Sequence, residues 1–365
     1  MNVFITAGGT GGHIFPGLAL YEVMREAGEE LFFVGGERDR RFDAVRRLGN
    51  RHIVLPGAPL DRKKLHKNFR TLWLFFKALR RSLSLIRSLK PDVCVGMGGY
   101  STAPLLLACR LKSVPYLLCE QNAYPGFVNR CFASGAAKIL LTFAEAADHF
   151  RKKIRRRTEV SGNSVRAGFG SVGHTEALTH FGLKRGDVVL GIMGGSQGAA
   201  RINAALSGMQ KKLGAVSVIW SCGVQQYPEI RKKVHARNFK LYPFVERMDL
   251  FLEAADLVVS RAGATSLSEL VASGTPAVLV PYPFAAADHQ TANARSFEKA
   301  GAAIVVPEGE AFESRLEETL VPLLKDRKKI KKMASGVSGL FHKDAMARIM
   351  AAVYTAAGQK DGQKR

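Results

Sequence analysis

A short apolar run that breaks into a glycine-rich turn and then a helix-length segment occurs twice in this 365-residue chain. Residues 3–7 lead into Gly8-Gly9-Thr10-Gly11-Gly12-His13, and residues 188–193 lead into Gly194-Gly195-Ser196-Gln197-Gly198. Each copy opens a series of similar runs, at 31–35, 93–97, 116–119 and 139–142 in the first half and at 216–220, 257–259, 277–280 and 303–305 in the second. The runs are bounded by Gly, Pro or Asn and separated by helix-length segments. That rhythm predicts an α/β chain of two Rossmann-like domains with parallel sheets covered by helices on both faces. The boundary is expected near residue 160. The first domain spans 1–160 and is joined by a closing helix over about 343–357; the second spans 161–342. Two such domains facing each other would set both groups of strand carboxyl ends on one cleft.

A 47% hydrophobic content supports a core in each domain. Lys and Arg number 54 against 31 acids, a net charge of +23 that favours anionic partners without choosing among nucleic acid, anionic lipid and phosphorylated substrates. No nucleic-acid reader motif accompanies the charge, so nucleic acid is not an expected partner. The five cysteines are scattered, odd in number and without a CxxC pair, as in a reduced cytoplasmic protein. Residues 1–6 run directly into the first turn with no signal-peptide pattern, and no window of about 20 residues is apolar enough to span a bilayer. Any membrane contact is therefore expected to be peripheral.

Glycine after a strand lets the backbone approach a phosphate, and the following helix start offers unpaired N–H groups and a positive dipole end. The bland alternative is a tight strand-to-helix connection without a ligand. A nicotinamide site fits poorly: Gly8–Gly12 matches GxGxxG only loosely, and Glu37 lies too deep in the Gly35-Gly36 turn to reach a ribose. A third turn, Gly96-Met97-Gly98-Gly99-Tyr100, lies in the same half as the first, and two such turns at adjacent strand ends could together hold a diphosphate.

These motifs resemble those of the MurG family. The resemblance is carried by Gly8-Gly9-Thr10-Gly11-Gly12-His13-Ile14-Phe15-Pro16-Gly17, Gly96-Met97-Gly98-Gly99-Tyr100, Glu120-Gln121-Asn122 and Gly194-Gly195-Ser196-Gln197-Gly198-Ala199. The stretch Arg261-Ala262-Gly263-Ala264-Thr265-Ser266-Leu267-Ser268-Glu269 and Asp288-His289-Gln290 with Asn293 complete it, all in the family's order. Two positions depart from the pattern: Cys119 stands where the family usually has His, and Ser164 where it has Pro.

The resemblance implies the GT-B fold and inverting transfer of N-acetylglucosamine from UDP-GlcNAc to the C4 hydroxyl of a lipid-linked muramoyl-pentapeptide diphosphate. Another GT-B glycolipid glycosyltransferase or a UDP-sugar epimerase is the alternative. The setting is the cytoplasmic face of the bacterial inner membrane, with cell-wall synthesis or division proteins as further partners. His13, at a helix start beside the first turn and with an ordinary pKa of about 6.5, suits the role of base; the competing role is capping or hydrogen bonding without proton transfer. Glu120 is the rival base. For UDP-GlcNAc the resemblance points to Thr10, Gly11, Gly12, Asn122, Arg166, Ser196, Val245, Ala264, Thr265, Ser266, Leu267, Ser268, Glu269 and Gln290. Read without it, Glu269 is an exposed helix acid. Gly12, His13, Gly98, Gly99 and Tyr100 are expected at the acceptor diphosphate. No cofactor and no tightly bound catalytic metal is expected, because no Asp-x-Asp element or His/Cys cluster has ligand spacing.

Residues 62–90 hold ten Lys or Arg and no acid. On a helix, Phe69, Trp73, Phe76 and Leu79 form one stripe, flanked by Lys77 and Arg80. That pattern fits a helix lying on an anionic membrane surface; a core helix with a solvated basic face is the other reading.

Overall fold

The computed structural model describes residues 1–58, 68–166, 168–195, 198–285, 288–340 and 344–362. The chain divides into two compact units, one of Met1–Arg166 with Asp344–Arg365 and one of Ala167–Lys343.

The first unit is built on a seven-stranded parallel sheet: β1 (Asn2–Thr6), β2 (Glu30–Gly36), β3 (His52–Leu55), β4 (Val93–Gly96), β5 (Tyr116–Glu120), β6 (Lys138–Leu141) and β7 (Thr158–Val160), in the order β3-β2-β1-β4-β5-β6-β7. Alternate side chains serve opposite faces. Val3, Ile5, Val93 and Val95 enter one buried cluster, and Phe4 and Cys94 enter the other. The helix Gly11–Glu26 supplies Ile14, Leu18, Tyr21 and Met24 to the first face. The helix Ala345–Gly362 returns to the same face with Ile349, Ala352, Val353 and Ala356. The helices Phe69–Leu89 and Ala103–Leu111 cover the second face.

The second unit carries a six-stranded parallel sheet: β8 (Val189–Met193), β9 (Ser217–Ser221), β10 (Phe239–Tyr242), β11 (Leu257–Ser260), β12 (Ala277–Leu279) and β13 (Ala303–Val305), in the order β10-β9-β8-β11-β12-β13. In both sheets the order reverses beside the first strand, between β1 and β4 and between β8 and β11. Crevices outside the carboxyl ends of strands at such reversals are where open parallel sheets bind ligands. All the glycine turns singled out above leave the sheets at these two places.

Candidate active site

In the first unit, Thr6 of β1 pairs with Gly96 of β4, so the turns that follow the two strands leave the sheet side by side. They touch directly. A Cβ at Gly99 would run into the Gly8 carbonyl oxygen, and one at Gly8 would run into Ser101 Oγ. Gly99 also has φ +95 and ψ 155, a conformation essentially reserved for glycine. Thr102 Oγ1 donates to the Gly99 carbonyl at 2.8 Å and fixes the second turn. The Tyr100 ring lies along the first turn, 3.5 Å from where a Gly9 Cβ would stand. Burial raises the Tyr100 phenol above its ordinary pKa, while the charges of Arg38 and Arg41 pull it down.

The Gly11–Glu26 helix begins at Thr10, whose carbonyl accepts the N–H groups of His13 and Ile14, both at 3.2 Å. The N–H groups of Gly11 and Gly12 thus stand in the first turn, the part of a helix that recruits anions. His13 Nδ1 is 3.1 Å from Thr10 Oγ1. The other edge of the ring faces the second turn: a Cβ at Gly98 would lie 3.1 Å from His13 Cδ2, 3.2 Å from Nε2 and 3.6 Å from Asn129 Nδ2. Thr10, Gly11, Gly12, His13, Gly98, Gly99 and Tyr100 therefore gather at one spot. Arg166 joins them, its guanidinium 5.8 Å over the Phe15 ring one turn into the helix. Ser164 is buried and donates from Oγ to the Pro16 carbonyl at 2.8 Å, a contact proline could not make.

Glu120, at the end of β5, is 2% exposed. Its Oε1 accepts from Asn122 N at 3.0 Å and Asn122 Nδ2 at 3.3 Å; its Oε2 accepts from Gly126 N at 2.9 Å and Asn129 Nδ2 at 2.8 Å. Burial raises its pKa above the usual carboxylate range, and the four hydrogen bonds oppose that rise. The side chain organises the loop that carries Asn122. Cys119 is buried in the core, its thiol pushed up to about 12 by burial first and by the Glu120 charge second, and it stays protonated at neutral pH.

The sequence reading overlooked two residues here. Asp39, 1% exposed, accepts the Gly9 N–H at 3.0 Å and the Gly36 N–H at 2.6 Å. Arg41 Nη2 donates to the Gly9 carbonyl at 2.9 Å. Glu37 is exposed and pairs with Arg40 at 3.3 Å. The acid that matters at the end of β2 therefore turns inward to the backbone of the first turn. Only the Glu37-Arg38-Asp39-Arg40-Arg41 charge run hinted at it.

In the second unit, Gly194 and Gly195 follow β8 and Ala262-Gly263 follow the adjacent β11. A Cβ at Gly194 would run into Ala199 N, and one at Gly198 into the Cys222 carbonyl, so this turn too is a close approach of backbone to backbone. Ser196 lies outside the described residues. Gly263 caps the helix Ala264–Ser273, with open space on its Cα. Glu269, on the second turn of that helix, is 7% exposed. This corrects the reading of it as an exposed acid. Thr265 and Ser266 are half-buried at the helix start, and Ser268 Oγ donates back to the Ala264 carbonyl at 2.8 Å. Leu267 is fully buried and Ala264 nearly so, and the Leu267 N–H is taken by the Gly263 carbonyl at 3.0 Å. Val245 is likewise buried, on the loop after β10. Gln290 Oε1 accepts from Tyr282 N at 3.0 Å, and Asn293 Nδ2 donates to the Ala262 carbonyl at 3.2 Å, tying the 289–299 helix to the β11 turn. Arg261 is held by Glu308 at 2.6 Å and by the Val280 and Pro281 carbonyls, as a half-buried brace.

The helix Phe69–Leu89 divides along its length. Ala78, Ser82 and Ile86 are buried, whereas Phe69, Leu72, Trp73 and Phe76 are 80%, 53%, 61% and 55% exposed. Leu79 packs against the core of the second face, so it leaves the expected stripe, and Leu72 takes a place in it. Arg80 is exposed, and Lys77 sits 5.2 Å over the Trp73 ring. No helix among the described residues is long and apolar enough to cross a membrane.

The glycosyltransferase family 28 N-terminal domain matches residues 3–141 and its C-terminal domain matches 189–349. A Halothermothrix orenii protein is 37% identical over 345 residues, 92% of this chain and 93% of that relative. A Moorella thermoacetica protein is 38% identical over 363 residues, 96% and 97% of the two chains. Both bear the name UDP-N-acetylglucosamine--N-acetylmuramyl-(pentapeptide) pyrophosphoryl-undecaprenol N-acetylglucosamine transferase. The crystal structure of Acinetobacter baumannii MurG superposes with a TM-score of 0.76 at 26% identity, covering 97% of this chain and 99% of that one. The chain belongs to the MurG family. Its two parallel-sheet domains have the GT-B architecture of that family. A putative UDP-N-acetylglucosamine 2-epimerase from Listeria monocytogenes shares the fold of this MurG-family chain at 14% identity and a TM-score of 0.69.

Proposed function

We propose that the chain transfers N-acetylglucosamine from UDP-GlcNAc to the C4 hydroxyl of undecaprenyl-diphospho-N-acetylmuramoyl-pentapeptide, with inversion at C1. The enzyme works as a peripheral protein on the cytoplasmic face of the inner membrane. One observation carries the reading: two glycine turns pressed together, with His13 bridging from the helix start of one to Gly98 of the other. The acceptor diphosphate lies on those turns and on the Gly11 and Gly12 amides. His13, whose Nδ1 lies 3.1 Å from Thr10 Oγ1, is the group that takes the proton of the attacking hydroxyl. Glu120 is a poor rival, since its four donors occupy both oxygens in a closed pocket.

The donor is held chiefly on the second domain. The start of the Ala264–Ser273 helix faces the diphosphate, where its dipole stabilises the charge that develops as UDP leaves. Glu269 accepts from the ribose hydroxyls, the loop at Val245 meets the uracil, and Ser196 belongs to the diphosphate-binding turn. Asn122, Gln290, Arg166 and Thr10 complete the contacts to sugar and diphosphate. The exposed Phe69, Leu72, Trp73 and Phe76 enter the lipid interface, with Lys77 and Arg80 attracted to anionic headgroups. Cell-wall synthesis or division proteins are its proposed partners there.

The test is a transfer assay with UDP-GlcNAc and a prenyl-diphospho-muramoyl-pentapeptide. His13→Ala should lower kcat by about 10²–10⁴-fold, the usual range for removing a general base. Glu269→Ala should mainly raise the KM for UDP-GlcNAc. Full turnover by His13→Ala removes it as base; epimerisation of UDP-GlcNAc without transfer would favour the epimerase reading.

A further inference from the structure

Gly9 is gripped at both of its backbone polar groups by the turn over residues 37–41: Asp39 takes its N–H and Arg41 donates to its carbonyl. The buried Asp39 carboxylate has two consequences for an anionic ligand at that turn. It consumes an amide that would otherwise point at a phosphate, and it adds a negative charge beneath the cradle. Such a site repels a diphosphate unless a fixed cation offsets the carboxylate. His52, whose Nε2 would stand 3.3 Å from a Cβ at Gly35 and beside Asp39, does not supply that charge, because burial lowers its pKa. Arg40 is engaged with Glu37 at the surface.

Arg41 meets the need. One Nη2 hydrogen bond anchors it to the Gly9 carbonyl, and its guanidinium stacks 4.8 Å over the Phe42 ring. Phe42 in turn packs edge-on against Phe15 at 5.4 Å, and a Cβ at Gly11 would touch both rings. The guanidinium is thereby placed at the first turn of the Gly11–Glu26 helix, with further N–H donors exposed to solvent. We propose that Arg41 is the cationic contact for the diphosphate of the lipid-linked acceptor, with Asp39 positioning the turn it reads. This rests on the assignment of the glycine turns to the acceptor.

Steady-state transfer, with each substrate varied in turn, tests it. Arg41→Ala should raise the acceptor KM by about tenfold, the scale of one lost charge-assisted hydrogen bond. It should leave the KM for UDP-GlcNAc unchanged. Arg41→Gln keeps a polar side chain but removes the charge and the reach of Nη2 to the Gly9 carbonyl, so it should show the same rise; it carries the test should the alanine variant not fold. Arg40→Ala should match wild type. Inorganic pyrophosphate should compete with the acceptor, and its inhibition constant should rise in both Arg41 variants. A wild-type acceptor KM in Arg41→Gln, with the wild-type enzyme active, overturns the inference. Failure of the wild-type enzyme to transfer at all overturns the functional reading instead, and pyrophosphate affinity measured by calorimetry still reports on Arg41.

Discussion

Replacing Gly99 by alanine probes the contact between the two glycine turns. Two costs add. The backbone there, φ +95 and ψ 155, is a region that only glycine enters readily, and a side chain costs about 1–3 kcal/mol. The new Cβ would also meet the Gly8 carbonyl, 3.0 Å from its carbon atom and closer still to its oxygen. Forcing a methyl group into a filled space costs about 1–3 kcal/mol more. The sum is about 2–6 kcal/mol, or a fall of roughly 5–20 °C in the melting temperature of a unit of this size. Gly28→Ala in the same unit is the control: φ is +84, but nothing lies within 4 Å of its Cβ position, so it carries strain without a clash. Scanning calorimetry should show the larger fall for Gly99→Ala, and transfer kinetics should show a raised acceptor KM with the UDP-GlcNAc KM unmoved. If Gly99→Ala melts with Gly28→Ala and keeps the wild-type acceptor KM, the turns do not form a shared acceptor cradle.

The lipid-facing role of the 69–89 helix predicts that Phe69→Ser, Trp73→Ser and Phe76→Ser combined abolish sedimentation with anionic vesicles, while turnover of a short-chain, water-soluble acceptor is kept. The melting temperature should change little, because these side chains are already in solvent; unchanged vesicle binding would refute the assignment. His52 makes a pH prediction. Its folded pKa lies below the unfolded value through burial, so its contribution to stability is present above about pH 6.5 and is lost as pH falls through the lowered folded value. His52→Phe should flatten that part of the stability profile measured by urea denaturation between pH 8 and 5, and an unchanged acid-side slope would count against it.

The sheet interiors were legible because strands buried on both faces read as uninterrupted apolar runs, such as Val3-Phe4-Ile5 and Leu257-Val258-Val259. The strands the sequence reading overlooked, β3, β7 and β10, are all sheet edges. Their four or fewer residues include His52, Glu159 and Lys240, polar side chains that an edge tolerates and that break the apolar signal. The glycine turns were legible for a similar reason: positive φ and backbone contact leave no substitute for glycine. Asp39 was not, since a buried carboxylate satisfied by backbone N–H groups looks, in sequence, like any charge in a basic run. Leu79 was misplaced because helical spacing gives the stripe but not the point along the helix where the stripe passes from solvent to core.

The helix Ala345–Gly362 places Ile349, Ala352, Val353 and Ala356 against strands laid down some three hundred residues earlier. During translation, the domain begun first is therefore the one finished last. Its sheet must wait, one face partly bare, while the whole second domain emerges and folds between its two pieces. A chain cut after Lys343 would hold every residue of the second unit, while its first unit would lack part of its wall.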